Sequence, residues 1–177
     1  LITSVLSKKY RVLSTPGNYN NHIGLPLTIL QITDYHQIAV IEMGANHIGE
    51  NEFLCQIAQP THGLVTNNGK DHLEGFGSME GVVKSNSELY QYLLKNNGKA
   101  IVNANDQALM QMTIDLDNKL TYAANFKGRE SAADVECFAE MLQPTIQFKL
   151  KNNPLSINSN LSGDYNFDNI AAAVAIG

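Results

Sequence analysis

Gly63-Leu64-Val65-Thr66-Asn67-Asn68-Gly69-Lys70-Asp71-His72-Leu73-Glu74-Gly75-Phe76-Gly77-Ser78 is the stretch on which the reading of the chain turns. Leu64 and Val65 end an apolar run of the kind that forms a buried strand. A polar loop punctuated by glycine follows, with two carboxylates and one histidine. Residues 79–95 then carry the apolar spacing of a long helix. In an open parallel sheet, ligands sit beyond the carboxyl ends of the strands. Asp71, His72 and Glu74 therefore form a candidate metal or phosphate loop. Ile38-Ala39-Val40-Ile41-Glu42-Met43-Gly44-Ala45-Asn46-His47 repeats the layout, an apolar run ending in a carboxylate and then glycine. Two adjacent strands of this kind bring Glu42 and His72 to one edge.

Upstream, residues 1–8 read as the last turns of a helix, with Leu1, Val5 and Leu6 on one face. A short strand is expected over 10–14 and a loop over 15–21. A helix follows over 25–32, with Pro26 in its first turn, where the missing N–H costs nothing. Residues 38–43 read as a buried strand. Residues 49–58 read as a helix with Phe53, Leu54 and Ile57 on one side. Downstream, strands are expected over 99–103 and 120–123, around a short helix over 106–112 with Asp106 as its N-cap. This alternation implies an α/β fold, a mostly parallel sheet flanked by helices on both faces. After residue 128 the pattern changes. Residues 134–142, 145–150 and 155–157 read as an antiparallel meander, a small sheet within residues 134–158, with turns at Gln143-Pro144 and Asn152-Asn153-Pro154. An alanine-rich helix over 165–176 closes the chain.

Composition narrows the function. A chain of 177 residues with 44% hydrophobic content is expected to make one domain, or one domain plus a small appendage, with a full core. The net charge of −5, with only 12 Lys and Arg, argues against a nucleic-acid binder with a broad basic face. Cys55 and Cys137 each lie beside apolar residues and read as buried thiols, which suits a reducing compartment. No apolar run approaches the roughly 18–20 residues that span a bilayer, so no membrane partner is expected. The chain opens at Leu1 inside a helix already under way, as expected of a piece of a longer protein.

Read together, the loops resemble those of the Mur ligases. Thr15-Pro16-Gly17-Asn18-Tyr19-Asn20-Asn21-His22-Ile23-Gly24-Leu25-Pro26 resembles the family's substrate loop, in the form carried by members that use D-alanyl-D-alanine. Residues 40–46 resemble the second motif and residues 65–74 the third. Gly163-Asp164-Tyr165-Asn166-Phe167-Asp168-Asn169-Ile170-Ala171-Ala172-Ala173 resembles the adenine-side helix. The matches stand in family order and span nearly the whole chain. The resemblance implies the P-loop-like central domain of an ATP-dependent, ADP-forming amide ligase of peptidoglycan precursor synthesis in the bacterial cytoplasm. Its substrates would be UDP-N-acetylmuramoyl-tripeptide and D-alanyl-D-alanine. Its cofactors would be ATP and Mg²⁺, or Mn²⁺, which accepts a histidine ligand more readily.

The resemblance also assigns residues. Glu42 and His72 are the expected metal ligands. Thr15, Asn18, Asn20, Asn21 and His22 are expected at the substrate, and Asn166 and Asn169 at adenine. No catalytic residue is fixed beyond these. Read bare, Glu42 serves equally as a helix cap, and His22 and the three asparagines serve as loop-fixing groups. Similar ligases carry a carbamylated lysine on the helix after the third motif, where this chain has Asn86. Lys84 and Glu88 lie two residues to either side, about 200° round a helix.

The family's opening phosphate loop, ending Gly-Lys-Thr, has no counterpart here. Asn68-Gly69-Lys70-Asp71 and Asn97-Gly98-Lys99-Ala100 lack the earlier glycine and the following hydroxyl. The chain is thus expected to be a central domain without its first strand and phosphate loop, and without the N- and C-terminal domains that hold the nucleotide-sugar and the amine. The nearest alternatives are another Mur ligase or a folylpolyglutamate synthase. An alternative of a different class is a non-catalytic nucleotide-binding module.

Overall fold

The computed structural model describes residues 1–67, 78–126 and 131–177. Its elements are α1 (Ile2–Leu6), β1 (Val12–Ser14), α2 (Gly24–Ile29), β2 (Ile38–Val40), α3 (Glu50–Ala58), β3 (His62–Leu64), α4 (Met79–Lys95), β4 (Lys99–Asn103), α5 (Gln107–Met112), β5 (Lys119–Asn125), β6 (Val135–Met141), β7 (Gln147–Leu150), β8 (Asn153–Asn158) and α6 (Asp164–Ile176).

The strands form two sheets. β1 and β2 pair in parallel, Val12 against Ile38 and Ser14 against Val40. The other sheet runs β3-β4-β5-β6-β7-β8. It is parallel from β3 to β6 and antiparallel from β6 to β8. The predicted meander is therefore the far edge of the main sheet, joined through the parallel β5–β6 pairing.

Side chains alternate across each strand, and the alternation divides the core. Ala100 and Val102 of β4 pack with Cys55, Leu89, Tyr90, Leu93, Leu109 and Leu116 beneath α3, α4 and α5. Ile101, with Tyr122, Ala124, Cys137 and Phe148, packs against α6 on the other face. Phe167 anchors that face. It is fully buried, with ring centroids 5.7 Å from Phe126 and 5.9 Å from Phe148. The Ala171-Ala172-Ala173 run lets α6 lie close to the sheet, all three being buried. Both cysteines are free and fully buried, and burial pushes each thiol up to about 12.

The ends of the helices follow local chemistry. Ser78 Oγ accepts the Gly81 N–H at the start of α4. Asp106 caps α5 as expected, accepting from Ala108 at 2.9 Å and Leu109 at 3.1 Å. Two expectations need correction. β2 is expected to be buried, yet Ile38 and Val40 are only half-buried and Ala39 is exposed. In α3 the buried residues are Asn51, Leu54 and Cys55, and Phe53 is 50% exposed. The i, i+3, i+4 stripe of α3 is fixed by its contact with α4, which starts the stripe at a polar residue.

Candidate functional site

The carboxyl ends of β1 and β2 are tied together by their own loops. Thr15 donates its N–H to the Val40 carbonyl at 3.1 Å, extending the β1–β2 ladder by one step. Its hydroxyl oxygen accepts the Glu42 N–H at 2.8 Å. The Asn20 side-chain amide donates to Glu42 Oε1 at 2.8 Å, and the Asn20 carbonyl accepts the Gly44 N–H at 2.9 Å. Gly44 permits this approach. A Cβ there would lie 2.8 Å from Asn20 Nδ2 and 3.0 Å from its Cγ. Thr15 and Asn20, expected at the substrate, and Glu42, expected at the metal, thus meet at one strand edge.

The other residues of the substrate loop divide. Asn21 Oδ1 accepts the N–H groups of Ile23 at 3.1 Å and Gly24 at 2.9 Å, closing the turn into α2. Its side-chain oxygen is thereby committed to the backbone. The Asn18 carbonyl accepts the Asn20 N–H, and the Asn18 and His22 side chains are exposed beside the site.

Glu42 is exposed. Its bond from Asn20 comes from a neutral donor and occupies one oxygen, which leaves further lone pairs open. Oxygen is the donor that Mg²⁺ favours, and Glu42 fits as one ligand of such an ion. Among the described residues no three His, Cys, Asp or Glu side chains stand together to hold a metal. Asp71, His72 and Glu74 lie outside the described residues.

On α4, three positions point three ways: Lys84 is exposed, Asn86 half-buried and Glu88 buried at 8%. Glu88 accepts the Gly49 N–H at 2.7 Å and the Glu52 N–H at 3.0 Å. It is thereby spent on α3. The sequence held a signal for this, since Glu88 falls on the same stripe as Val82, Ser85 and Leu89.

At the carboxyl ends of β4 and β5 the structure adds residues that sequence reasoning missed. Asn103 Oδ1 accepts the Asn105 N–H, and Asn105 Nδ2 donates to the Ala124 carbonyl at 2.8 Å. Asn103 also hydrogen-bonds Asp168 of α6. Burial lifts the Asp168 carboxyl above its ordinary value, more than the Asn103 bond lowers it, and Asp164 and Asp106 add to the rise. The polar run Asn103-Ala104-Asn105-Asp106 straight after an apolar strand was the available signal. Of the two adenine-side candidates, Asn166 donates to the Ser162 carbonyl at 2.8 Å, and Asn169 is half-buried one residue beyond Asp168.

A cavity of about 680 Å³ lies elsewhere, over β6, β7 and β8, and is lined in part by Glu136, Lys149 and Lys151. Both of its lysines are already paired, Lys149 with Glu140 and Lys151 with Glu136. The strand-end geometry, with an exposed carboxylate held by two loops, is the better candidate.

The Mur ligase middle domain model matches residues 1–177, and the chain belongs to that family. Among relatives, it is 38% identical over 165 residues to the UDP-N-acetylmuramoyl-tripeptide–D-alanyl-D-alanine ligase of Haemophilus influenzae, covering 93% of this chain and 35% of that one. Among solved structures, MurF of Acinetobacter baumannii superposes with a TM-score of 0.84 at 32% identity, covering 98% of this chain and 38% of that one. The MurF ligase of Thermotoga maritima, solved in complex with ADP, superposes with a TM-score of 0.80 at 28% identity, over 99% and 40%. The chain thus spans between a third and two fifths of the length of these relatives.

Proposed function

We propose that the chain is the central domain of an ADP-forming amide ligase that joins D-alanyl-D-alanine to UDP-N-acetylmuramoyl-tripeptide in the bacterial cytoplasm. The observation that carries this reading is the meeting of Thr15, Asn20 and Glu42 at one parallel-sheet edge, in a chain that matches the family model from end to end.

A carboxylate is a poor acylating agent at neutral pH. In the proposed reaction the γ-phosphoryl group of ATP passes to the substrate carboxylate, giving ADP and an acyl phosphate. The amine of D-alanyl-D-alanine then attacks the acyl carbon, and phosphate leaves. The protein's part is to place donor and acceptor in line and to balance the charge on the phosphoryl oxygens. A divalent ion held in part by Glu42, with His72 as its expected companion, would supply much of that balance. Asn20 orients Glu42 by its hydrogen bond. Thr15 fixes the Glu42 backbone. Asn18 and His22, exposed beside them, contact the nucleotide-sugar peptide. Asn169, with Asn166 at the start of the same helix, contacts adenine.

The domain is further proposed to lack its first strand and phosphate loop. The division of the strands into two sheets supports this. Among the described residues, no strand pairs with the second edge of β2 or of β3. Yet Met43, just past β2, packs in the same cluster as Val65, just past β3. One more parallel strand between β2 and β3 would unite the two sheets and cover the half-exposed β2.

The test is ADP release by the full-length protein with ATP, the tripeptide substrate and D-alanyl-D-alanine each omitted in turn. Release that requires all three is the expected result. Release independent of the dipeptide favours a sister ligase, and no release favours a non-catalytic module.

A further inference from the structure

Glu42 is exposed, so packing does little to hold it in place. Besides the Asn20 amide on its Oε1, what holds it is the backbone on either side. The upstream tether is the Thr15 hydroxyl and the downstream one is the Asn20–Gly44 bond. Beyond Gly44 the chain runs through exposed residues, Asn46, His47, Ile48 and Gly49, to the start of α3. Glu50 accepts the N–H groups of Asn46 at 2.7 Å and His47 at 3.2 Å, which ties the loop to α3 itself. The loop is therefore no better placed than the first turn of α3.

That turn is fixed from outside. Its N-cap, Gly49, sits at φ 92°, in the left-handed region that favours glycine, and has no side chain with which to cap the helix. Glu88, about two and a half turns into α4, takes the place of that cap. One carboxylate oxygen accepts from Gly49 and the other from Glu52, across 39 and 36 residues of sequence. Bonds from backbone N–H to a carboxylate are charge-assisted, and they lie at the positive end of the helix. Asn51 adds a neutral link, donating to the Ser85 carbonyl and hydroxyl oxygens at 3.1 and 3.2 Å.

We propose that Glu88 is a positioning residue for Glu42. It locks the 43–49 loop onto α4 and so sets the Glu42 carboxylate at the reaction site. The inference rests on the ligase reading for its consequence, and on geometry alone for the tether.

The experiment compares full-length wild type with Glu88→Gln, and uses Asn51→Ala as a packing control. Amide exchange is measured across residues 44–52, and ADP release is measured against Mn²⁺ concentration. Glu88→Gln puts an amide N–H against one of the two donors, so exchange over 44–49 quickens. The Mn²⁺ concentration for half-maximal rate rises about tenfold, while the rate at saturating Mn²⁺ stays within about twofold of wild type. Asn51→Ala removes only the neutral link, so it lowers the melting temperature and moves the Mn²⁺ requirement less than Glu88→Gln does. If Glu88→Gln does not fold, Glu88→Asp, which can keep one of the two bonds, takes its place with the same shifts at smaller size. Unchanged exchange over 44–49, or a fall in rate that is equal at every Mn²⁺ concentration, overturns the proposal. A wild-type protein that releases no ADP sinks the ligase reading and leaves the exchange measurement to decide the tether.

Discussion

The Asn20 side-chain amide reaches Glu42 Oε1 at 2.8 Å across 22 residues of sequence, joining the substrate loop to the strand-end carboxylate. A hydrogen bond to a charged acceptor contributes about 1.5–3 kcal/mol. In the full-length ligase, Asn20→Ala should raise the KM for the tripeptide substrate about tenfold, roughly 1.4 kcal/mol. The KM for ATP should stay within about twofold, because the proposed adenine contacts lie on α6. Asn20→Asp should be worse than alanine, since it sets a second carboxylate against Glu42. Steady-state kinetics with each substrate varied in turn reads both. An aspartate variant as good as wild type would mean that Asn20 does not act as a donor.

Gly44 should tolerate no side chain. Its Cβ would fall 2.8 Å from the Asn20 amide nitrogen, closer than van der Waals contact allows. Gly44→Ala should therefore push Asn20 off Glu42 and reproduce the Asn20→Ala kinetics, with little added effect in the double variant. Full additivity of the two changes would show that they act separately.

Two aspartates should give opposite responses to pH. The Asp168 carboxyl is raised above its ordinary value of 3.8, chiefly by burial. The folded state then binds that proton more tightly than the unfolded state does. Its contribution is greatest below 3.8 and is lost as pH rises through the raised value. Asp134 is lowered, first by the Thr121 backbone N–H and then by the Thr121 hydroxyl. Its contribution is present above 3.8 and is lost as pH falls through the depressed value. Melting temperatures of the isolated chain between about pH 3 and pH 7 test both. Asp168→Asn should gain stability at neutral pH and Asp134→Asn should lose it. Matching responses from the two variants would refute the assignment.

The elements that could be read from sequence were those whose signals are local. α4 runs over the residues expected of it because Ser78 caps it and Val82, Leu89 and Leu93 keep helical spacing along its buried face. β4 was equally plain, as a short apolar run after Gly98. The burial of β2 was misread, because a strand's exposure depends on which strands flank it, and no short window of sequence carries that. Phe53 was placed on the wrong side of α3 because the stripe there includes Asn51, held by Ser85 from another helix. At the site, Glu42 stood out as a carboxylate ending an apolar run before glycine, whereas Thr15 and Asn20 were expected only through the resemblance to a family. Glu88 and Asp168 went unassigned because their partners lie 36 or more residues away in one case and on another element in the other.

The 177-residue chain alone should not turn over ATP. A phosphate loop supplies backbone N–H groups and a lysine to the phosphates, and no Gly-Lys-Ser or Gly-Lys-Thr occurs in this sequence. Phosphate release with ATP and Mg²⁺ should stay at the buffer rate. Activity that persists through repurification would show that other residues bind the phosphates.

Glu42 is proposed to serve the transfer of phosphate to a carboxylate. The most direct measurement is the amount of UDP-N-acetylmuramoyl-pentapeptide formed by the full-length protein, followed by mass spectrometry, in wild type and Glu42→Ala at equal folded concentration. Product from wild type should require ATP and D-alanyl-D-alanine, and the rate should be at least about a hundredfold lower without the carboxylate. Product formed by Glu42→Ala at the wild-type rate would contradict it.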